Sequence, residues 1–168
     1  MAMLTGTKVV ESDKAAAKML KERGFGEEVG ERLVLAPVEA LYLMEKKRIS
    51  VLDGKKRMTF DSLLSALRKA EKELDMKYAV YRDLRSKGYV VRTGLKYGTY
   101  FRVYDKGIRV GEGHSDMLVQ PVPEEMKTSV YEITGAVRLS HSVKKKMVWA
   151  IVDTEGDVTY LKLSRIVP

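Results

Sequence analysis

The chain has 168 residues, 45% of them hydrophobic, enough for one domain or two small ones with a buried core, which excludes a disordered tail. Lys and Arg number 31 against 23 Asp and Glu, a net charge of +8 that favours a polyanionic partner, nucleic acid first. The absence of cysteine excludes disulfides and thiolate metal sites, and no apolar run approaches the roughly 20 residues that span a bilayer. The opening segment MAMLTGTKVVESDK has no apolar signal core, so a cytoplasmic protein without membrane contact is expected.

A strand is expected over 7–11. Ser12 is the expected N-cap of a helix over 13–22, closed by Gly24. A loop over 24–30 leads to a strand over 32–35. Pro37 suits the first turn of the next helix, where Val38, Leu41, Tyr42 and Met44 recur at helical spacing. A short strand over 49–52 and a turn at DGKK follow. Thr59 is the expected cap of a long amphipathic helix reaching Leu74, with Phe60, Leu63, Leu64 and Leu67 on one face. Residues 1–75 thus read as a small α+β domain.

The second section, 76–168, opens with a helix over 77–87 ended by Gly88. Strands are expected over 89–92, 99–104 and 115–122, with Gly94 turning after the first and Pro121 and Pro123 marking the end of the third. Residues 132–141 carry both helix and strand signals; alanine, Leu139 and the charge pattern favour helix. A hairpin over 145–152 and 158–163 turns at DTEGD and is expected to bury Val148, Ala150 and Val152. The fold class is therefore mixed α+β, a small N-terminal α+β domain before a second domain with a mixed central sheet flanked by helices.

The segment KYGTYFRVYDKGIRVGEGH joins a strand carrying Tyr104 to a glycine-rich stretch that ends on His114. A strand tyrosine is ordinarily a packed amphipathic side chain, and a lysine triplet is ordinarily a solvated face. His114, however, lies in a polar loop, where a reactive group can meet a ligand. Lys144, Lys145 and Lys146 abut the apolar run MVWAIVD, and strand alternation turns one of them toward packed structure or a cleft. Competing chemistries lack their residues. The chain has no GxxxxGK[ST] phosphate loop, no GxSxG and no cysteine nucleophile, and neither His114 nor His141 has carboxylates at ligand spacing. RNA supplies its own nucleophile, the 2′-hydroxyl, so a base, an acid and a cation suffice for cleavage. A phenol, an imidazole and an ammonium match that need.

Four stretches carry a resemblance to a known family: VEALYL at 38–43, KYAVYRDLRSKGYVVRTGLKYGTYFRVYDKG at 77–107, HSDMLVQPVPE at 114–124 and TGAVRLSHSVKKKMVWAIVDTEGDVTYLKLSRI at 134–166. They resemble the archaeal tRNA-splicing endonucleases (tRNA-intron lyases). The resemblance implies that the second domain is a nuclease domain. It places the family's catalytic tyrosine, after FRxY, at Tyr104, its histidine, opening HS, at His114, and its lysine, the first of a pair, at Lys145. Lys144 stands where the family commonly has arginine, and Tyr100 where it commonly has histidine. His141 belongs to the HSV motif and is expected to serve folding rather than chemistry.

The implied reaction cuts both sites of a bulge-helix-bulge motif in precursor tRNA, with no metal or other cofactor, leaving 2′,3′-cyclic phosphate and 5′-hydroxyl ends. The family's usual assignment makes Tyr104 the base; whether it acts so or only orients the nucleophile stays open. His114 protonates the leaving oxygen and Lys145 steadies the transition-state charge. Arg138 and Arg165 are the implied RNA contacts. The implied assembly is a homotetramer, a dimer of dimers, with Asp153, Glu155 and Asp157 as an acidic docking loop. A non-catalytic RNA-binding or structural subunit of a mixed splicing complex is the alternative. A DNA-binding module has only the charge in its favour.

Overall fold

Short apolar-polar alternations punctuated by glycine turns give two sheets, one in each half of the computed structural model, which describes residues 1–93, 98–108 and 113–168. Two compact units, Met1–Tyr81 and Arg82–Pro168, divide within one helix. The expected turn at Gly94 and most of the glycine-rich stretch before His114 lie outside the described residues.

In the first unit, strands β1 (Ala2–Thr5), β2 (Lys8–Glu11), β3 (Glu27–Val29), β4 (Arg32–Leu35), β5 (Val51–Asp53) and β6 (Lys56–Arg57) form one sheet in the order β3-β4-β2-β1-β5-β6. Helices α1 (Lys14–Glu22), α2 (Pro37–Glu45) and α3 (Phe60–Arg68) accompany it. Helix α2 begins at Pro37 as expected and buries Val38, Ala40, Leu41 and Leu43. Glu39 is buried with them, and its carboxylate accepts from the backbone N–H groups of Ala36 (2.8 Å) and Gly26 (3.1 Å).

Four expectations need correction here and in the second sheet. Asp13, not Ser12, caps α1, its carboxylate accepting from Ala16 N–H. The expected loop over 24–30 contains β3, which pairs with β4. The helix from Thr59 stops at Arg68, where Lys69 caps it, and a new helix, α4 (Leu74–Ser86), begins after Glu73 turns left-handed at φ 57°. KAEKE has no glycine or proline to announce that break; Arg68 instead pairs with Asp75 across it, at 2.8 and 2.5 Å.

In the second unit, β7 (Val90–Thr93), β8 (Phe101–Tyr104), β9 (Met117–Pro123), β10 (Lys146–Val152) and β11 (Val158–Leu163) form a sheet ordered β11-β10-β9-β8-β7. Every pairing is antiparallel except β9 with β10, which helix α5 (Val130–Ser142) connects. The fourth correction is that Pro121 and Pro123 lie inside β9 rather than beyond it. β8 pairs with β9 no further than Val119, and past it the Pro121 carbonyl takes only the Gln120 side-chain amide. The missing proline N–H therefore faces a side with no strand to receive it.

The ambiguous stretch 132–141 is helical, because Ser129 and Glu132 close a reciprocal capping box at the start of α5. Phe101, Val103, Leu118, Val119, Met147 and Ala150 are at most 2% exposed and make the core of this sheet. Each large apolar side chain buried this way contributes roughly 1.5–3 kcal/mol. Val148, Ala150 and Val152 are buried as the hairpin reading expected.

Candidate active site

The ends of three adjacent strands meet at one end of the second sheet. Val103 stands opposite Met117, and Lys146 stands beside Met117 on the other side. One residue further out, the same registers set Tyr104, Asp116 and Lys145 side by side. Backbone bonds continue the ladder there: Asp116 N–H donates to the Val103 carbonyl and Lys146 N–H to the Asp116 carbonyl, both at 3.0 Å. Two strand spacings put the Tyr104 and Lys145 backbones roughly 10 Å apart, a gap their long side chains can span.

Each of the three side chains owes its place to a different local device. Tyr104 is the half-buried last residue of β8. His114 is exposed and enters β9 just before Ser115, which is buried. Lys145 is set by the end of α5. There Lys144 adopts the left-handed conformation at φ 54°, and Lys145 N–H donates back to the Ser140 carbonyl at 2.9 Å. That is a helix stop usually built on glycine. Lys145 is half-buried, with its ammonium donating to the Ser115 carbonyl at 2.6 Å, whereas Lys144 and Lys146 are exposed. Lys145 is thus the lysine of the triplet that the alternation turned inward.

Asp116 was missed by sequence reasoning. It is the middle rung between Tyr104 and Lys145, and its carboxylate accepts from Lys146 Nζ at 2.6 Å. That hydrogen bond holds the Lys146 ammonium above the usual lysine range. Its only signal in the sequence was adjacency to His114 in HSD. Among the described residues, no group of three or more His, Cys, Asp and Glu side chains gathers where it could hold a metal ion.

Beside this row opens a cleft of about 480 Å³, lined among others by Asp116, His141, Lys144, Lys145, Lys146 and Arg165. Its bases outnumber its one acid, so it suits an anion. Arg165 reaches His141 at 2.9 Å. Arg138 is exposed on α5, with its guanidinium 6.0 Å from the Tyr131 ring centroid. His141 is exposed, so it has little part in the core, contrary to its expected folding role.

The acidic hairpin turn has an internal division of labour. Asp153 Oδ1 accepts from the N–H groups of Glu155 and Asp157, each at 2.9 Å, which closes the turn. Glu155 and Asp157 are exposed.

The folded sheet with this row at its end matches a known enzyme class. The family model for the tRNA intron endonuclease catalytic C-terminal domain matches residues 74–160, and that for the family's N-terminal domain matches residues 1–64. The chain is 44% identical over 153 residues to a tRNA-splicing endonuclease of Thermococcus onnurineus, covering 91% of this chain and 88% of that one. It is 45% identical over 161 residues to a tRNA-splicing endonuclease of Pyrococcus furiosus, covering 95% and 92%. A tRNA-splicing endonuclease of Methanococcus maripaludis is 41% identical over 163 residues, covering 96% and 92%. The chain belongs to the tRNA intron endonuclease family. No helix among the described residues is long and apolar enough to cross a membrane.

Proposed function

We propose that this protein excises introns from precursor tRNA by cutting both sites of a bulge-helix-bulge element, with no metal in the chemical step. The observation that carries this reading is the alignment of Tyr104, Asp116 and Lys145 across three strand ends, with His114 entering the same end of the sheet. The 2′-oxygen beside the scissile phosphate attacks phosphorus in line, and its proton passes to Tyr104 or to a base that Tyr104 orients. A P–O bond forms to give the 2′,3′-cyclic phosphate. The bond to the 5′-oxygen breaks, and His114 gives that oxygen its proton. Lys145 steadies the charged phosphorane. An ammonium has three N–H donors, and the Ser115 carbonyl, by taking one, aims the group.

Arg138 and Arg165 are assigned to the RNA, on which guanidinium planes stack against splayed bases. The assembly is a homotetramer of paired dimers, with the acidic turn docking one dimer on the other.

Incubating the purified chain with intron-containing pre-tRNA in excess chelator tests the reading. Cleavage at both junctions should proceed, with cyclic phosphate and 5′-hydroxyl ends. Products with 5′-phosphate, or activity lost to chelator and restored by magnesium, would overturn the mechanism. A chain that binds the RNA but never cuts it would be a non-catalytic subunit.

A further inference from the structure

Arg165 lies beyond the last strand, yet its guanidinium is tied to α5 through the 2.9 Å contact with His141 Nε2. A guanidinium only donates hydrogen bonds. Nε2 must therefore accept, which places the ring's single proton on Nδ1 and makes the imidazole neutral. Both side chains are exposed, so the contact orders a surface rather than a core. Arg138 sits three residues before His141 on α5, on the same face of the helix. Its guanidinium rests over the Tyr131 ring. One helix thus carries both anchors, Tyr131 for Arg138 and His141 for Arg165.

We infer that His141 is a positioning residue: its neutral imidazole holds Arg165 beside Arg138, so that the two guanidinium planes offer an unpaired RNA base a preset stacking surface. This rests on the RNA substrate proposed above. A free arginine at the end of a chain samples many rotamers, and fixing it before binding removes that ordering cost. The device also has a sign in pH. Protonation puts a hydrogen on Nε2, and two cations then face each other at contact distance. The groups facing His141 from the neighbouring segments are Lys144, Lys145, Lys146, Arg165 and Asp116. The one carboxylate among them is engaged by Lys146, so the surroundings stay cationic from pH 5 to 8 and offer a charged imidazole no partner.

The probe is a bulge-helix-bulge RNA with 2′-deoxyribose at both cleavage positions, which cannot be cut, compared with a fully paired duplex of the same length. The measured quantity is the ratio of the two affinities, in which general charge attraction cancels. At pH 8 the wild type should prefer the bulged RNA, and His141→Ala should lower that ratio roughly fivefold without lowering the melting temperature, the scale of one hydrogen bond to a charged group. His141→Gln, whose amide oxygen can accept from Arg165, should restore the ratio. Taking the wild type to pH 5.5 should lower the ratio, and His141→Gln should not respond. In an Arg165→Ala background, His141→Ala should change nothing further. A wild type that fails to prefer bulged RNA overturns both the substrate reading and this inference. A wild type that prefers it, with His141→Ala unchanged or additive to Arg165→Ala, overturns the positioning role alone.

Discussion

His114 and Lys145 make separable contributions, because one is exposed at the entry to β9 and the other is pinned beneath a helix end. His114→Ala should slow single-turnover cleavage roughly 100-fold or more, the usual scale of general acid help, with little change in RNA affinity. Quenched-flow cleavage and filter binding on the same samples check this; equal losses in both would mean that the histidine binds rather than transfers a proton. Lys144 presents a different case. It occupies a left-handed conformation that side chains with a Cβ resist, at a position where the helix stop needs it. Lys144→Gly should therefore raise stability by about 0.5–1 kcal/mol in urea unfolding, with the lysine charge as the only loss to the cleft.

At the scale of elements, the last strand is fastened to α4 through Tyr160, whose hydroxyl donates to Asp83 Oδ2 at 2.6 Å while Lys87 pairs with the same carboxylate. The Lys87 ammonium also lies 5.2 Å from the centroid of the Tyr160 ring. Burial pushes the Asp83 carboxyl up, but the hydrogen bonds from Lys87 and Tyr160 outweigh it and hold Asp83 below its ordinary value. Burial and the Asp83 carboxylate both push the Tyr160 phenol well up. The signs are opposite. Asp83 adds stability that is present above the ordinary aspartate value of 3.8 and is lost as pH falls below it. Tyr160 adds stability that is present below the ordinary tyrosine value of 10.0 and is lost as pH rises above it. Tyr160→Phe should cost about 0.5–1 kcal/mol at neutral pH, a hydrogen bond discounted for partial exposure, and should flatten the alkaline limb of a melting-temperature profile. Asp83→Asn should flatten the acid limb.

Elements with a strong local signal were legible in the sequence. Pro37 opens α2, the Ser129 and Glu132 box opens α5, and the apolar run of β10 fills the core. The break between α3 and α4 was not, because Glu73 turns left-handed with no residue there that prefers to do so. Nor was the continuation of β9 through Pro121, which depends on where a distant partner strand ends. The same division holds at the site. Tyr104, His114 and Lys145 stood out by residue type and by resemblance, whereas Asp116 matters through register, which only the folded sheet reveals.

For the whole molecule, self-association is the property that the acidic turn would govern. Asp153 is spent inside the turn, so only Glu155 and Asp157 are available to a partner. Reversing Asp153 as well would confuse a broken turn with a lost contact. Glu155→Lys with Asp157→Lys should leave the hairpin folded and convert tetramers to dimers in sedimentation, most completely at low salt, where charge contacts reach about 10 Å at 0.1 M. Those dimers should cut bulge-helix-bulge RNA poorly. Tetramers that persist in the double variant would reduce the turn to a connector.

The parallel pairing of β9 with β10 has a consequence in time as well as in space. Antiparallel neighbours can zip from a tight turn, but these two strands can meet only after α5 and its flanking loops have been carried back across the sheet. Contacts of that sequence separation are closed late, against a larger loop entropy. Lys145 reaches the Ser115 carbonyl, and so its place beside Tyr104, only through that closure. The β7–β8 hairpin and α5 can each exist without it. A nascent or partly opened chain therefore carries its phenol and its ammonium on separate pieces, and RNA met at that stage finds charge to bind but no assembled chemistry. Cutting competence is acquired in one late event, which keeps a strongly basic polypeptide from nicking RNA before it is finished.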